Sequence, residues 1–502
     1  MRSINEEYPD FTSELEAIRE NGITLDILYR ILRKHTGNSA YNKNLYSRYK
    51  TSSDSVPIYS RKPKFNGEDG EESTEPNNKI NNDFFGEIVD FKTGYFAGNP
   101  ISYGYSKTEE AEEVTGGEEA IDIATKTITD FTTRNNMFGV DMEITKFASI
   151  CGYAGRLFYI DPDGNTRVMP LKAYETIILS STNISEPEYA IRYYPSTDIN
   201  DKLVWTVEFY DKTNITTYKG DLSNLTFKEQ RLHCFDRCPL QAVANNEELL
   251  GDAEKVLNLI DDYDKTISDN SNEIESFVHA YMVFKNVYID DDNIKKAHKT
   301  GAIVIPPKGT SNDGEVGFIT KNINDNFTEH HLERVEKNIY RFSKTPNLSD
   351  QTFGTASGIS LRFKLHGLET KCGMFQAKMT DAAHYMWLLL SELWAKKDVV
   401  VDPLQVTMEF SRNFPLDLLS EAQAAQALLG AGLPKELVYG QMSFIDDPAY
   451  CIELKMKEDG YTPHTDFDDD DEEKNGEDNK LKKDLTSAEE TEEDDENNDN
   501  KE

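Results

Sequence analysis

The sequence predicts an α+β fold followed by an acidic tail that has no core. Short β-rich runs crowd residues 140–240, whereas residues 247–272 and 358–397 repeat apolar side chains at the four- and three-residue steps of amphipathic helices. Residues 461–502 contain 19 acidic residues and 5 lysines but almost no apolar ones. Because such a segment cannot bury enough apolar surface to offset its chain entropy, we expect residues 460–502 to be disordered.

The composition narrows the class of protein. The chain has 502 residues and a net charge of −37, and this length predicts several structural units. Its longest uninterrupted apolar stretch is Tyr385–Leu390, whereas a membrane span needs roughly 18 apolar residues, so we expect no membrane association. The first residues lack the apolar core of a secretory signal. Five scattered cysteines fit a reducing compartment, and the negative charge disfavours non-specific capture of DNA.

The first half of the chain predicts helices followed by a β-rich unit. Amphipathic helices are expected near residues 11–35 and 119–136, and residues 67–82 and 104–120 have the polar, turn-rich composition of loops. The Asp-Pro-Asp-Gly turn at residues 161–164 predicts a β-hairpin. Its strands are residues 156–160 and 166–169, and further strands are expected at residues 174–180, 189–194, 204–210 and 214–218.

The second half predicts two helices around a small insert. Leu249 to Ile267 step by four and three residues, and the apolar, β-branched run 277–289 then predicts a strand paired with Gly301–Ile305. A second helix is predicted from its apolar positions, which are Leu332, Val335, Ile339 and Phe342. The sequence therefore places a compact α/β insert of about fifty residues between two helices.

The region after residue 343 predicts a loop and the longest helix of the chain. Residues 344–358 are rich in Ser, Thr, Asn and Gly, as turns are. Residues 358–397 keep their apolar spacing throughout, and as one helix they would extend about 60 Å at 1.5 Å per residue. Residues 399–410 alternate as a strand, and residues 416–440 predict two short helices.

The search for catalytic motifs is negative. The sequence has no glycine-rich phosphate loop, no dinucleotide-binding glycine motif, no zinc-protease motif and no hydrolase elbow. His233, Cys234 and Cys238 would supply part of a zinc site but lack a second ligand pair, so solitary thiols are the favoured interpretation. His330 and His331 are adjacent and point apart on a helix, which makes them a poor metal pair. We therefore expect no cofactor and no enzymatic activity.

Two clusters of charged residues each allow two interpretations. Asp261, Asp262 and Asp264 form a carboxylate cluster that metal-assisted hydrolysis would use, although a solvated helix face is the favoured interpretation. Basic residues stand beside aromatic ones near the N-terminus, which fits either a nucleic-acid or partner contact or ordinary charge balancing. These residues are Arg30, Arg33, Lys34, Tyr46, Arg48, Tyr49 and Lys50.

The helix through residues 329–344 alternates basic and acidic side chains, which predicts ion-paired packing between neighbouring helices rather than a DNA groove. The basic positions are Arg334, Lys337, Arg341 and Lys344, and the acidic ones are Glu329, Glu333 and Glu336.

Three stretches of the chain, together covering about residues 80–455, carry a resemblance to a known family. The first contains Ile88-Val-Asp-Phe-Lys92, Tyr95, Gly98 and Pro100-Ile101. The second contains Pro239, Asn245-Asn246, Asp252, Leu259-Ile-Asp261, Tyr263, Ser268-Asp269, Asn272-Glu273 and Phe277. The third contains Ser357-Gly358, Phe410-Ser-Arg-Asn413, Pro415 and Asp417. In these positions the chain resembles the SPP1-type portal proteins of tailed double-stranded DNA bacteriophages.

The resemblance implies a portal fold with wing, stem, clip and crown regions. The implied regions are an N-terminal α+β wing region at 1–245, a stem helix at 246–276, the clip insert at 277–326, a second stem helix at 327–343, a tunnel loop at 344–357, the long wing helix with its following strand at 358–415, a helical crown at 416–459 and the acidic tail at 460–502.

The same resemblance implies the functional residues. The tunnel loop would present Lys344, Asn347, Ser349, Gln351, Thr352, Phe353, Thr355 and Ser357 to DNA. The stem would use Asp252, Asp261, Tyr263, Ser268, Asn272, Arg334, Lys337 and Arg341. The clip would use Phe277, Tyr281, Phe284, Tyr288, Ile303 and Ile305.

The implied role is a conduit for DNA. About twelve subunits would form a ring at one capsid vertex of the virion, assembled in the host bacterial cytoplasm. Double-stranded DNA would enter through the ring, driven by the terminase large subunit, and leave through it during infection. The other implied partners are the head-completion adaptor and the major capsid and scaffolding proteins. A net negative wall would suit such a conduit, because each neutralised phosphate adds a salt-dependent binding term that opposes movement.

Two other functions stay open from the sequence. One is a metal-dependent nucleic-acid-processing enzyme that uses the acidic helix at residues 261–264. The other is an acidic, monomeric chaperone or scaffold. A closed ring in solution would favour the conduit, whereas a monomer or dimer would favour the alternatives.

Overall fold

The chain forms two compact units, Met1–Pro415 and Leu416–Glu502. The computed structural model describes residues 3–63, 65–66, 71–72, 76–197, 201–277, 281–285, 315–319, 325–348, 358–413, 418–440, 442, 445 and 448–458. The expected disordered tail, residues 460–502, therefore lies outside the described residues.

Helices and sheets are mixed along the chain, as the predicted α+β class requires. The described helices are α1 (Thr12–Asn21), α2 (Leu25–Tyr49), α3 (Phe84–Ala97), α4 (Glu109–Thr115), α5 (Glu118–Arg134), α6 (Met137–Cys151), α7 (Leu257–Phe277), α8 (Asp325–Ser343), α9 (Gly358–Ala395), α10 (Leu418–Gly430), α11 (Lys435–Tyr439) and α12 (Pro448–Glu458). The described strands are β1 (Phe65–Asn66), β2 (Glu71–Glu72), β3 (Ser102–Tyr105), β4 (Tyr153–Ile160), β5 (Thr166–Leu171), β6 (Thr176–Leu179), β7 (Tyr189–Thr197), β8 (Leu203–Tyr210), β9 (Asn214–Asp221), β10 (Asn224–Leu232), β11 (Leu240–Ala244), β12 (Tyr281–Lys285), β13 (Glu315–Ile319) and β14 (Val406–Glu409).

The first unit contains a five-stranded antiparallel meander in the order β10-β9-β8-β7-β6. One face of this sheet is covered by α1 and α2, because alternate strand residues such as Val207 and Phe209 point toward Leu28 and Ile31 of α2. A second antiparallel sheet has the order β11-β4-β5. Its β4–β5 pair confirms the hairpin predicted from the Asp-Pro-Asp-Gly turn, since Asp161 accepts hydrogen bonds from the backbone N–H groups of Asp163 and Asn165.

The long helix α9 is the centre of the largest apolar cluster. Its buried side chains follow the predicted four- and three-residue spacing and are Leu365, Leu368, Cys372, Phe375, Met379, Ala382, Met386, Leu389 and Leu393. They pack with α3, α5, α6 and β14. The predicted helix at 358–397 is therefore confirmed, with a length of about 57 Å at 1.5 Å per residue.

The helices α7 and α8 pack on each other and on α3. Val335 and Ile339 of α8 belong to the same buried cluster as Ile260 of α7 and Val89 of α3. The predicted second helix is confirmed, except that Phe342 is exposed rather than part of its apolar stripe. The described residues of the second unit include α10, α11 and α12, and α10 and α11 confirm the two short helices predicted there.

Several predicted boundaries were wrong. The helix expected at 11–35 is two helices, because Gly22 follows α1 at a φ of 70°, and the second one extends to Tyr49. Residues 109–115, expected to be part of a loop, form α4, whose first turn is capped by the Thr108 hydroxyl. The strand expected at 399–410 is only β14, because Pro403 begins a 3₁₀ turn that interrupts the alternation.

The predicted pairing of the insert was also incomplete. The strand β12 pairs with β13 in the structure, with Tyr281 opposite Ile319, and β13 was not identified from the sequence. The expected partner, residues 301–305, lies outside the described residues.

The chain passes very close to itself where α6 ends. Gly152 terminates α6 at a φ of 90°, and a Cβ added there would overlap the carbonyl oxygen of Leu249. Gly251 lies against the carbonyl oxygen of Ile150 in the same way. Glycine at these two positions therefore lets the segment before α7 approach the end of α6.

We predict that Gly152→Ala destabilises the first unit by about 2 to 5 kcal/mol, because it adds a steric overlap to the cost of a left-handed backbone. Gly164→Ala is the matched control, since Gly164 has a φ of 78° but open space around its Cβ position. Only the backbone cost of about 1 to 2 kcal/mol is expected there. Urea unfolding followed by tryptophan fluorescence measures both values, and equal losses in the two variants would contradict the close approach.

Candidate functional site

A buried ionic cluster lies where the segment before α7 meets α3 and α9. Asp252 is almost completely buried, and its carboxylate contacts the ammonium groups of Lys92 on α3 and Lys371 on α9, each at 3.0 Å. The Lys92 ammonium also donates to Asn245 Oδ1 at 2.5 Å and lies 4.5 Å from the centre of the Phe375 ring. We call Lys92, Asp252 and Lys371 the buried junction.

The electrostatics of this junction depend on all three charges. Burial by itself would raise the pKa of Asp252, but Lys92 and Lys371 outweigh that effect and hold the pKa well below its usual range. Burial lowers the pKa of the Lys92 ammonium, while the Asp252 carboxylate opposes that shift. Removing one partner would therefore leave a buried charge without compensation, which in proteins costs about 3 to 5 kcal/mol.

The second lysine joins the junction to the end of α8. The Lys371 ammonium donates to the carbonyl oxygen of Ser343 at 2.8 Å, and Ser343 is the last residue of α8. A cation at this position is favourable because helix carbonyls at the C-terminus carry partial negative charge. Lys371 therefore ties the start of α7 and the end of α8 to the same point on α9.

The turn before α7 is built from two adjacent asparagines. The amide groups of Asn245 and Asn246 both donate to the carbonyl oxygen of Leu250, at 2.9 and 2.7 Å. The backbone N–H of Asp252 then donates to the carbonyl oxygen of Ser149 at the end of α6. These bonds place Asp252 between the two lysines.

An extended segment, residues 76–82, runs along α7 and is held by side chains four residues apart. Asp264, Ser268 and Asn272 accept hydrogen bonds from the backbone N–H groups of Asn82, Ile80 and Asn78, at 2.8, 2.9 and 2.7 Å. Four helix residues rise about 6 Å, and two extended residues advance about 6.6 Å, so the two repeats match. We call residues 76–82 the strap.

The predicted stem residues on α7 and before it are therefore packing groups. Besides Asp252, Ser268 and Asn272, Asp261 is paired with Arg48 of α2. The Tyr263 ring lies 5.0 Å from the Phe84 ring in an edge-to-face arrangement, and burial raises the pKa of its hydroxyl. The predicted α8 residues, in contrast, are exposed, and they are Arg334, Lys337 and Arg341.

The carboxylates of Asp261, Asp262 and Asp264 do not converge. They bind Arg48, His331 and Asn82 respectively, each on a different element. Among the described residues, no group of three His, Cys, Asp or Glu side chains is arranged to hold a metal ion. The geometry therefore gives no support to a metal-dependent enzyme at this helix.

The other predicted sites are only partly described. Of the loop residues, Lys344 is exposed with a φ of 59°, and the Asn347 amide donates to Glu336 at 2.9 Å. Of the insert residues, Phe277 ends α7, and Tyr281 and Phe284 lie in β12. The remaining predicted residues lie outside the described part, and they are Ser349, Gln351, Thr352, Phe353, Thr355, Ser357, Tyr288, Ile303 and Ile305.

The minor sequence candidates have ordinary structural roles. His233 contacts the carbonyl oxygen of Asp211 at 3.0 Å, and Cys238 is buried while Cys234 is exposed. In the N-terminal basic stretch, Arg30 and Lys34 are paired with the buried Glu14. None of the described helices is both long and apolar enough to cross a bilayer.

The three stretches that carried the family resemblance meet around α3. Lys92, from the first stretch, contacts Asp252, from the second. Arg412, from the third, binds Glu369 of α9 at 3.0 Å and lies 4.9 Å from the Phe96 ring of α3. Several residues of the sequence pattern are therefore contacts that join α3, α9 and the segment before α7.

Two of these joining residues were not identified as site residues from the sequence. Lys371 has no local signal, because its charged partner Asp252 lies 119 residues earlier and its other partner is a backbone carbonyl, that of Ser343. Lys92 has a weak local sequence signal, since it shares a helix face with the buried Ile88 and Phe96 at four-residue spacing. A lysine among buried apolar residues indicates a buried charge partner.

We predict that Ser268→Ala loosens the strap, because the Ile80 N–H loses its acceptor at a fully buried position. A loss of about 1 to 3 kcal/mol and faster hydrogen exchange at the Ile80 amide are expected. Ser271→Ala, on the same helix and half-buried, is the control and should leave this amide protected. Unchanged exchange at Ile80 in the Ser268→Ala variant would contradict the assignment.

Two known proteins and one family model match this chain, and all three are phage portal proteins. The chain is 21% identical over 405 residues to a protein named portal protein from Clostridium phage phiCD119, covering 76% of this chain and 85% of that protein. It is 24% identical over 405 residues to the portal protein of Bacillus phage SPP1, covering 75% of each chain. The family model described as "Phage portal protein, SPP1 Gp6-like" matches residues 29–480, most of the sequence. This chain belongs to the SPP1 Gp6-like family of phage portal proteins.

Proposed function

We propose that this chain is the subunit of a ring of about twelve copies at one capsid vertex, through which double-stranded DNA enters and leaves the virion. The terminase large subunit drives the DNA inward, and a head-completion adaptor later joins the ring to the tail. The ring is assembled in the host bacterial cytoplasm with the major capsid and scaffolding proteins. Family membership supports the portal role, and the finer steps belong to the proposal.

The stem, clip, tunnel loop, wing and crown of the proposed portal correspond to successive parts of this chain. The stem consists of residues 246–276 and 327–343, which include α7 and α8, and the clip is residues 277–326 between them. The tunnel loop is residues 344–357, and the wing comprises residues 1–245 and 358–415. The crown is residues 416–459.

The buried junction supports this assignment more than any other observation. A conduit that passes force between a motor at the clip and DNA in the channel needs stem helices held firmly to the body. Asp252 and Lys371 anchor the start of α7 and the end of α8 to the long helix α9. Both helices lead to the clip, and the anchored end of α8 leads into the tunnel loop.

The tunnel loop is proposed to touch DNA without gripping it. Its Ser, Thr, Gly and Asn residues make weak, sequence-independent contacts with the phosphate backbone. Asn347 is bonded back to Glu336 of α8, so the loop leaves the helix from a fixed point. The residues proposed to meet DNA are Lys344, Asn347, Ser349, Gln351, Thr352, Phe353, Thr355 and Ser357.

We predict that the purified chain forms a closed ring of about twelve copies with a central hole, because ring closure is how identical head-to-tail contacts are all satisfied. Mass measurement in solution and electron micrographs test this directly. Small compact particles without a hole would contradict the proposed function.

A DNA-packaging assay tests the tunnel loop. Deletion of residues 352–355 should leave ring assembly intact but impair DNA packaging. Replacing these four residues by glycine and serine keeps the loop length and is the matched control, which should package normally because the contact reads no sequence. Normal packaging by the deletion variant would contradict the tunnel-loop assignment.

A further inference from the structure

The helix α8 separates its charges onto different faces. His330, Arg334, Lys337 and Arg341 follow each other at steps of four, three and four residues, so at about 100° per residue they lie within an arc of about 60°. This arc is opposite the buried residues of the same helix, which are Leu332, Val335 and Ile339. We call these four residues the basic stripe.

The acidic residues of α8 lie outside the stripe. Glu329 and Glu336 lie on the flank of the helix, more than about 90° from the centre of the stripe. Glu329 is exposed, and Glu336 accepts a hydrogen bond from the Asn347 amide at 2.9 Å. Glu333 lies at the edge of the stripe, 4.0 Å from Lys337 and 3.9 Å from His330, and such exposed pairs contribute little. Within the described part of the chain, Arg334 and Arg341 have no ion pair, so the expected ion-paired packing is not found there for these two arginines.

The surface of the stripe suits a polyanion. Its side chains line a groove of about 390 Å³ together with Glu333 and Asn338. The side chains of His330 and Lys337 are 76% and 77% exposed. Lysine is depleted in subunit interfaces whereas arginine is enriched there, so the exposed Lys337 between the two arginines favours a phosphate contact over a subunit contact.

The stripe also stands out against the charge of the whole protein. The chain has a net charge of −37, so a helix face with three basic side chains in succession is not the average surface of this molecule. It extends along α8 for about 16 Å, the rise of eleven residues, in the direction that leads to the tunnel loop. A polyanion that followed α8 would meet the charges of Arg334, Lys337 and Arg341 within about 10 Å, or one about every 5 Å.

We infer that the basic stripe contacts the phosphate backbone of duplex DNA as it passes the stem. This inference rests on the proposed function and adds a ligand surface to it. It also changes the expected wall of the conduit: the net charge is negative, but the exposed face of α8 is positive. Long, exposed side chains exchange one phosphate for the next at little cost, so the stripe guides the duplex without fixing its register.

The test compares three charge-neutralising substitutions in the full-length ring. Arg334→Gln, Lys337→Gln and Arg341→Gln together should weaken binding of a fluorescent short duplex. The plot of log affinity against log salt, between about 50 and 200 mM, should become shallower by about 3 for each stripe that contacts the duplex. The matched control is Lys219→Gln, Lys228→Gln and Arg231→Gln, which removes the same charge from exposed positions of β9 and β10. This control should keep the slope, and Arg334→Lys with Arg341→Lys should also keep it.

The outcomes separate the inference from the proposed function. A reduced slope in the stripe variant alone supports the inference. An unchanged slope in an intact ring, or a wild-type ring that binds no duplex at low salt, overturns it. Loss of the ring in the stripe variant but not in the control also overturns it, because the stripe would then be a subunit contact. A wild-type chain that forms no ring contradicts the proposed function itself.

Discussion

The rest of this structure depends on the contact between one buried carboxylate and two lysines. Burying three charges is expensive, at several kcal/mol per ion, and is tolerated only where each charge has partners. Asp252 has both lysines, Lys92 also has the Asn245 amide and the Phe375 ring, and Lys371 has the carbonyl at the end of α8. Because these partners belong to different elements, each charge can be compensated only when the elements are packed together.

The remaining polar contacts extend this junction in two directions. The strap holds α7 along its length by three side chains at four-residue spacing, so the helix is supported beyond its buried start. Arg412 joins the segment after β14 to α9 and α3. Several residues of the family pattern therefore join elements of the fold. The surface inferred to meet DNA lies on the exposed side of α8, and the loop after α8 is proposed to meet DNA as well.

Local periodicity accounts for what the sequence could predict. The helix α9 was predicted almost to its ends because nine buried positions repeat one spacing, and the β4–β5 hairpin because its turn residues are specific. Pairing between distant segments has no such signal, which is why β13 was missed as the partner of β12. For the same reason the sequence identified Asp252 but not its partner Lys371, and it gave no sign that Ser268 binds the strap or that Asp261 binds Arg48.

A double-mutant cycle on Asp252 and Lys92 tests the central claim most directly, with urea unfolding as the measurement. Asp252→Asn should cost about 3 to 5 kcal/mol, and adding Lys92→Met should recover part of that loss, giving a coupling energy of about 1 to 3 kcal/mol. The half-buried pair Glu143 and Lys146, one turn apart on α6, is the reference and should couple by less than about 1 kcal/mol. If Asp252→Asn costs no more than an exposed substitution and the two changes simply add, the junction does not hold these helices together.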